Sequence, residues 1–345
     1  MVPSQMLNAR TLKAVWVSLL AGAMLLGAML PAPSIAQGQE IVVTALADES
    51  AREIVDAWMA AYGAQHPGAV FDVTYAPAAE LLDRLGENVL LITGEMPDDL
   101  PVAYECGAIG AVRMLLPDLA GRYLSSEDCG DDLSAPAAAA RDFLKWVTGP
   151  DGQQVAIDLG QLPSEVTVTD QAGMTVTVPQ PVRRVVSAYG VAPFYVYVVG
   201  AGDRLVAANY IGIRDEQSVA AMTRLDPRFD EISQRISSMS QGESNLEEIA
   251  AVEPDLLLTS TRTAWLDAAG ELGVPILRFE GETPERLKEA VALVGAVFGP
   301  DAAYRAAQFN AFYDEVLSSI RAQMAGVENP TRVLFTGTEP LRVAS

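Results

Sequence analysis

The sequence predicts an α/β protein: two tandem three-layer lobes with mostly parallel sheets, preceded by an N-terminal signal peptide. Three observations carry that expectation. Short apolar runs alternate with helix-period segments twice along the chain, the pattern of helix-covered parallel sheets. The 345 residues suffice for about two ordinary domains. With 50% hydrophobic and 20% charged residues, the composition supports packed cores rather than disorder.

Residues 1–36 read as a secretory signal peptide. Arg10 and Lys13 form a positive start, residues 14–30 are apolar and uncharged, and Pro31 and Pro33 break the helix. Ser34-Ile35-Ala36 then offers small residues for cleavage after Ala36. An uncleaved membrane anchor is the competing reading. Gln37 rather than Cys follows the cut, so no lipid anchor is expected. The chain has 45 acidic and 23 basic residues, a net charge of -22. Such a surface repels nucleic acid and anionic lipid, which makes both poor partners.

Residues 37–163 form the first lobe. A strand at 40–44 leads to a helix capped by Ser50, with Ile54, Ala57, Trp58 and Ala61 at helical spacing. His66-Pro67-Gly68 ends that helix, and His66 is read as a surface turn residue. A strand at 70–75, a helix at 78–85 and a strand at 89–93 complete a β-α-β-α-β run. A looser region is expected through Asp128-Cys129-Gly130-Asp131-Asp132, then helices at 135–147 and 151–159.

The join falls at Gln161-Leu162-Pro163-Ser164, and the second lobe covers 164–325. Two alternating runs around Asp170-Gln171-Ala172-Gly173 make a hairpin. Strands are expected at 184–187, 205–208, 256–260 and 276–279, with a long amphipathic helix at 300–325. Residues 326–345 are expected to begin a further, truncated lobe with a strand at 332–336.

From Val166 onward the chain resembles the periplasmic binding proteins for iron-siderophores, haem and cobalamin that serve ABC importers. The resemblance rests on five pieces in register. They are the hairpin Val168 to Pro179, Pro181-Val182-Arg183-Arg184-Val185-Val186-Ser187, and Gly200-Ala201-Gly202-Asp203-Arg204-Leu205-Val206. Asn245-Leu246-Glu247-Glu248-Ile249 with Glu253-Pro254-Asp255-Leu256 and Leu272-Gly273-Val274-Pro275-Ile276 complete the set. The resemblance implies an α/β lobe whose C-terminal helix bridges to a second lobe, a metal chelate as ligand and a membrane permease as partner. Residues 37–163 bear a fainter resemblance to phosphate-type binding proteins, carried by Phe143-Leu144-Lys145-Trp146-Val147 and Gly149-Pro150-Asp151-Gly152-Gln153-Gln154.

In open parallel sheets, ligands sit beyond the carboxyl ends of the strands. That rule selects Ser187 and Tyr189, then Asn209, Tyr210 and Arg214, then Ser260 and Arg262, and finally Glu280. Arg214 and Arg262 could take carboxylate or catecholate oxygens in forked contacts. Tyr189 and Tyr210 could stack on an aromatic chelator. For Arg262 the alternative is an exposed residue pairing with Asp267 or Glu271. Phe194, Tyr195 and Tyr197 read as the packing face of a helix. In the first lobe Asp48, Glu49 and Glu95 would repel an oxyanion, and Asp48 and Glu49 suit a helix's first turn. Glu127, Asp128, Asp131 and Asp132 read as a solvated loop without calcium-loop spacing.

No catalytic residue, cofactor or metal site is expected. The single histidine stands on a turn, and no nucleophile elbow or phosphate loop occurs. The rival function is a non-catalytic sensor or scaffold binding a protein partner; haem, cobalamin or an oxyanion are rival ligands. Cys106 and Cys129 can pair in an oxidising compartment, closing a loop worth about 3 kcal/mol. Two separate thiols are the alternative. If they pair, intact-mass measurement on periplasmic material after alkylation should find no modified thiol; two alkylated cysteines would refute the bridge.

Overall fold

The computed structural model describes residues 40–327, apart from 87, 95, 97–111, 126–132, 211, 214, 236–245, 263–267, 269 and 281–282. The expected signal peptide, both cysteines, Arg214, Glu95, the acidic stretch 127–132 and the expected strand at 332–336 therefore lie outside the described residues. No described helix is long and apolar enough to cross a membrane.

The first lobe runs β1 (Ile41–Asp48), α1 (Arg52–Gln65), β2 (Ala69–Ala76), α2 (Ala78–Leu81), β3 (Val89–Thr93), β4 (Arg113–Leu116), β5 (Leu119–Leu124), α3 (Ala135–Thr148) and α4 (Pro150–Asp158). Its sheet has the order β2-β1-β3-β5-β4. Side chains alternate across the pleat, so each strand serves two layers. Val43, Ala45, Leu90 and Ile92 face Ile54, Trp58, Phe143 and Val147, while Leu46, Val89 and Leu91 face Leu81. Trp58 is fully buried, and its indole N–H donates to the Gly152 carbonyl at 2.8 Å, tying α1 to α4.

Three expectations for this lobe need correction. Residues 113–124 are not loose: they fold as the hairpin β4–β5, antiparallel to β3, so the sheet is mixed. Leu115, Leu116, Leu119 and Leu124 are buried, and the apolar run covers the open edge of β3 through a Pro117-Asp118 turn. The cap before α1 is Asp48, which accepts from the Ser50 amide at 2.9 Å ahead of a 3-10 turn at Glu49–Ala51. Ser50 is thus a donor rather than the cap. The 78–85 helix is a single turn, Ala78–Leu81, which tightens into a 3-10 segment at Leu82–Arg84.

The second lobe opens with the antiparallel hairpin β6 (Glu165–Thr169) and β7 (Thr175–Pro179). It continues through β8 (Val185–Ser187), α5 (Ala192–Val198), β9 (Leu205–Ala208), α6 (Glu216–Leu225), α7 (Phe229–Gln234), α8 (Leu246–Ala251), β10 (Leu256–Ser260), β11 (Ile276–Phe279), α9 (Pro284–Phe298) and α10 (Pro300–Met324). The sheet is wholly parallel, in the order β11-β10-β8-β9. Val185, Leu205, Leu258 and Phe279 pack on one face with Val196, Val291, Val294 and Ala302. Val186, Ala207, Leu257 and Ile276 pack on the other with Ile249.

The motif residues hold this lobe together. The Asp170 carboxylate, buried, accepts from the Ala172 and Met174 amides and from Arg278 Nη1 at 3.1 Å. The Asp255 carboxylate receives the amides of Arg183 at 2.7 Å and Arg184 at 2.9 Å, pinning the entry to β8 against β10.

The lobes meet where two helices end. Arg204 is buried, and Nη1 donates to the carbonyls of Val182 and Phe298 at 3.2 and 3.3 Å. Its Nη2 reaches the Thr148 carbonyl at 3.1 Å. Burial lowers its pKa to about 10, so it remains charged at neutral pH. Gln153 Nε2 donates to the same two helix ends, at 2.8 Å to Phe298 and 3.1 Å to Thr148. Gly299 has φ +104°, and a Cβ there would stand 2.3 Å from that Gln153 nitrogen. Replacing Arg204 with Met should cost about 3 kcal/mol or more, because several buried carbonyls lose their donor. Urea unfolding tests this, and Arg204→Lys should restore only part of the loss.

Candidate functional site

The parallel sheet brings its four strand ends to one rim. The Ala188 amide donates to Leu258 O, the Asn209 amide to Ser187 O and the Thr261 amide to Phe279 O, so the loops leave side by side. All the described residues selected from the sequence stand here, but with different freedom. Ser187 is fully buried, and its hydroxyl donates to the Tyr189 carbonyl at 3.0 Å, which makes it a shaper of the first loop. Tyr189 and Asn209 are half-buried. Ser260 Oγ accepts the Arg262 amide at 3.2 Å and so turns the third loop.

Arg262 is 65% exposed and reaches Glu280 at 3.9 Å. Glu280 is a second rim residue, and Asp267, one of the two partners expected for Arg262, lies outside the described residues. Glu280 is set from below, since its amide donates to Gln171 Oε1 at 2.6 Å and Gln171 Nε2 donates to the Arg286 carbonyl at 2.8 Å.

Tyr210 is placed differently from a stacking platform. Its ring lies edge-on to Phe194 and Phe229, and its hydroxyl meets that of Tyr197 at 2.9 Å. Tyr197 also donates to Asp226 at 3.1 Å, and Arg228 takes the same carboxylate in a forked contact at 3.0 and 2.8 Å. Burial pushes Tyr210 up to about 12, and burial with these hydrogen bonds raises Tyr197 further. Both phenols therefore stay neutral donors and acceptors at neutral pH. The expected packing role of Tyr195 and Tyr197 agrees with their positions, though Tyr197 adds a polar link that apolar periodicity does not reveal. Tyr195, beside Phe279, is pushed up to about 12 by burial, and its hydroxyl has no hydrogen-bond partner among the described residues. An unused donor thus lies beneath the rim.

In the first lobe His66 is an exposed turn residue stacked on Tyr62 at 4.1 Å. Asp48 caps a turn and Glu49 pairs with Arg52 at 2.8 Å, so both are engaged locally. No group of three or more His, Cys, Asp or Glu able to hold a metal occurs among the described residues.

Comparison with family models finds no match, and comparison with curated proteins finds none either. Among solved structures, similarity extends to periplasmic binding proteins. A periplasmic solute-binding protein of Veillonella parvula shares 17% identity at a TM-score of 0.40, covering 50% of this chain and 52% of that one. A molybdate periplasmic binding protein of Haemophilus influenzae shares 16% at 0.42, covering 51% and 58%. An iron-uptake ABC transporter substrate-binding protein of Streptococcus pneumoniae shares 21% at 0.40, covering 48% and 55%. The chain spans about half the length of these structures.

The Asp226 carboxylate sits below the ordinary value: burial alone would raise it, but the hydrogen bonds and charge of Arg228, with the Tyr197 hydroxyl, outweigh that. A carboxylate depressed on folding contributes stability above its unfolded value, near 3.9, and loses it as pH falls through the folded one. Asp226→Asn should therefore lower unfolding free energy at pH 7 by roughly 1.5–3 kcal/mol. Urea titrations should show the gap between parent and variant narrowing at pH 3.

Proposed function

We propose that this chain is a periplasmic solute-binding protein of an ABC importer, capturing an iron-siderophore or related metal chelate for delivery to an inner-membrane permease. The observation that carries the reading is the rim of the parallel sheet. Four loops emerge together there and offer Arg262, Glu280, Tyr189 and Asn209, with the buried Tyr195 phenol beside the end of β11 unpaired among the described residues. An exposed guanidinium in that position suits the carboxylate or catecholate oxygens of a ferric chelate. The signal peptide and the family-like motifs from Val166 onward support the same reading, as does an acidic surface unsuited to nucleic acid. The motif residues Asp170 and Asp255 support it too, Asp170 by bracing the rim from below and Asp255 by ordering the opposite ends of the strands. Haem, cobalamin or an oxyanion are the alternative ligands.

A second reading, a non-catalytic sensor or scaffold that binds a protein, is favoured by one observation. The outer half of α10 exposes Phe312, Val316, Ile320 and Met324 along one side, a surface of the kind partners cover.

Titration with ferric siderophores, followed by quenching of intrinsic tryptophan fluorescence, tests the first reading. Arg262→Ala should weaken binding roughly 10- to 100-fold, the loss of charge-assisted hydrogen bonds. Saturable binding unchanged in the variant would remove Arg262 from the site, and no quenching by any chelate in the parent would remove the chelate reading.

A further inference from the structure

A second polar cavity lies at the join between the lobes, away from the rim. It has a volume of about 100 Å³ and is lined by Arg113, Lys145, Arg204, Asp203, Asp301 and Arg305 among others. Four cations against two carboxylates is a local reversal of sign in a chain whose net charge is -22.

The excess is built in rather than incidental. One buried carboxylate, Asp301, serves two guanidiniums: its Oδ2 accepts from Arg113 Nη1 and Arg305 Nε, both at 2.8 Å. Its Oδ1 accepts the Met114 amide at 3.2 Å. The trio carries one net positive charge, and its side chains are only 23%, 28% and 8% exposed. Each guanidinium has five N–H groups, so both keep donors beyond the one given to Asp301. Lys145, on the cavity wall, makes no ion pair with a described residue. Arg204 does not add a free donor face, because helix-end carbonyls take it up. Asp203 partly offsets Lys145, so the net attraction centres on the two arginines.

The backbone also makes room for this arrangement. Gly200 lines the cavity with φ +77°, and a Cβ there would stand 3.0 Å from Arg305 Nε and 3.2 Å from its Cζ. The glycine lets the guanidinium lie flat along the wall. A partly buried, under-compensated arginine pair beside a cavity of this size is a receptor for a compact anion.

We infer that the cavity binds a small oxyanion, held by Arg113 and Arg305 with Lys145 at the mouth, that bridges the first lobe to the start of α10. This inference is independent of the chelate site at the rim. The test is the thermal unfolding midpoint of the full chain in inorganic phosphate, and separately in acetate, against chloride at matched ionic strength. A saturable rise with phosphate or acetate is expected, and the arm that responds tells whether a tetrahedral anion or a carboxylate fits. Arg305→Gln should weaken the apparent affinity at least roughly tenfold. Lys145→Ala, an exposed change that leaves the fold intact, should weaken it by a smaller factor and keeps the inference testable if Arg305→Gln unfolds. No rise over chloride with either anion, or an equal rise in Lys145→Ala and Arg305→Gln as in the parent, would overturn it. Siderophore titrations of Lys145→Ala should match the parent, which separates this cavity from the rim.

Discussion

Two helix ends point at one buried guanidinium, and the relation of the lobes depends on it. The last carbonyls of a helix have no partner within the helix, so burying two such ends together requires an outside donor. α3 ends at Thr148 and α9 at Phe298, and Arg204 serves both as well as Val182. No described carboxylate is in direct contact with it. Its charge is offset by the negative ends of two helix dipoles and by more distant Asp203, Asp255 and Asp301. Gln153 repeats the bridge with an uncharged amide, and Asp301 closes the other side against β4. The junction is thus polar and directional. An apolar junction of the same size would leave those carbonyls unpaired, at about 1–3 kcal/mol each.

From that fixed base, the rim is set by residues whose sequence context is ordinary. Asp170 lies in a hairpin turn, and its position in the chain does not foretell that its carboxylate would reach β11. Once Asp170 holds Arg278, the adjacent Gln171 is brought level with the end of the strand and accepts the Glu280 amide. Glu280 in turn is the acidic neighbour of Arg262. The entry hairpin therefore fixes one flank of the rim from below, across more than a hundred residues of sequence. Asp255 does the corresponding work at the opposite ends of the strands, where it orders the backbone entering β8.

Local pattern made much of this legible. The four strands of the second sheet stand where short apolar runs put them, and their parallel direction follows from the intervening helices, whereas their order does not. The β4–β5 hairpin was legible in principle from Pro117-Asp118 between two apolar runs. It escaped because the surrounding acidic and glycine-rich stretch reads as loop. Serine commonly caps helices, which favours Ser50 from the sequence, whereas the structure uses the nearby Asp48. At the candidate site the strand-end rule selects residues that share one rim but cannot rank them. Whether Tyr210 faces a ligand or Tyr197 is decided by Asp226, some distance on, and no local signal reports that contact. Arg204 and Asp301 were missed for the same reason: a charged residue in a turn looks solvated until the packing around it is known.

The use of arginine separates structure from recognition in this acidic chain. Arg184 donates to the carbonyls of Val252 and Glu253, and Arg228 to those of Gly202, Asp203 and Leu205. Arg204 does the same at the join, and Arg278 closes the hairpin. In each case the planar fork is matched to several fixed acceptors, and the side chain is held by backbone that cannot move independently. Lysine, a compact and strongly hydrated charge, would satisfy fewer of these acceptors at once. Arg262 differs in exposure: its side chain is 65% exposed, and Glu280 stands 3.9 Å from it. At that separation a charge-assisted hydrogen bond is not formed, and an exposed pair is worth little. Turning Arg204 or Arg278 outward would strand buried acceptors. The arginines that hold this fold together are thus fixed by the acceptors they would leave unpaired.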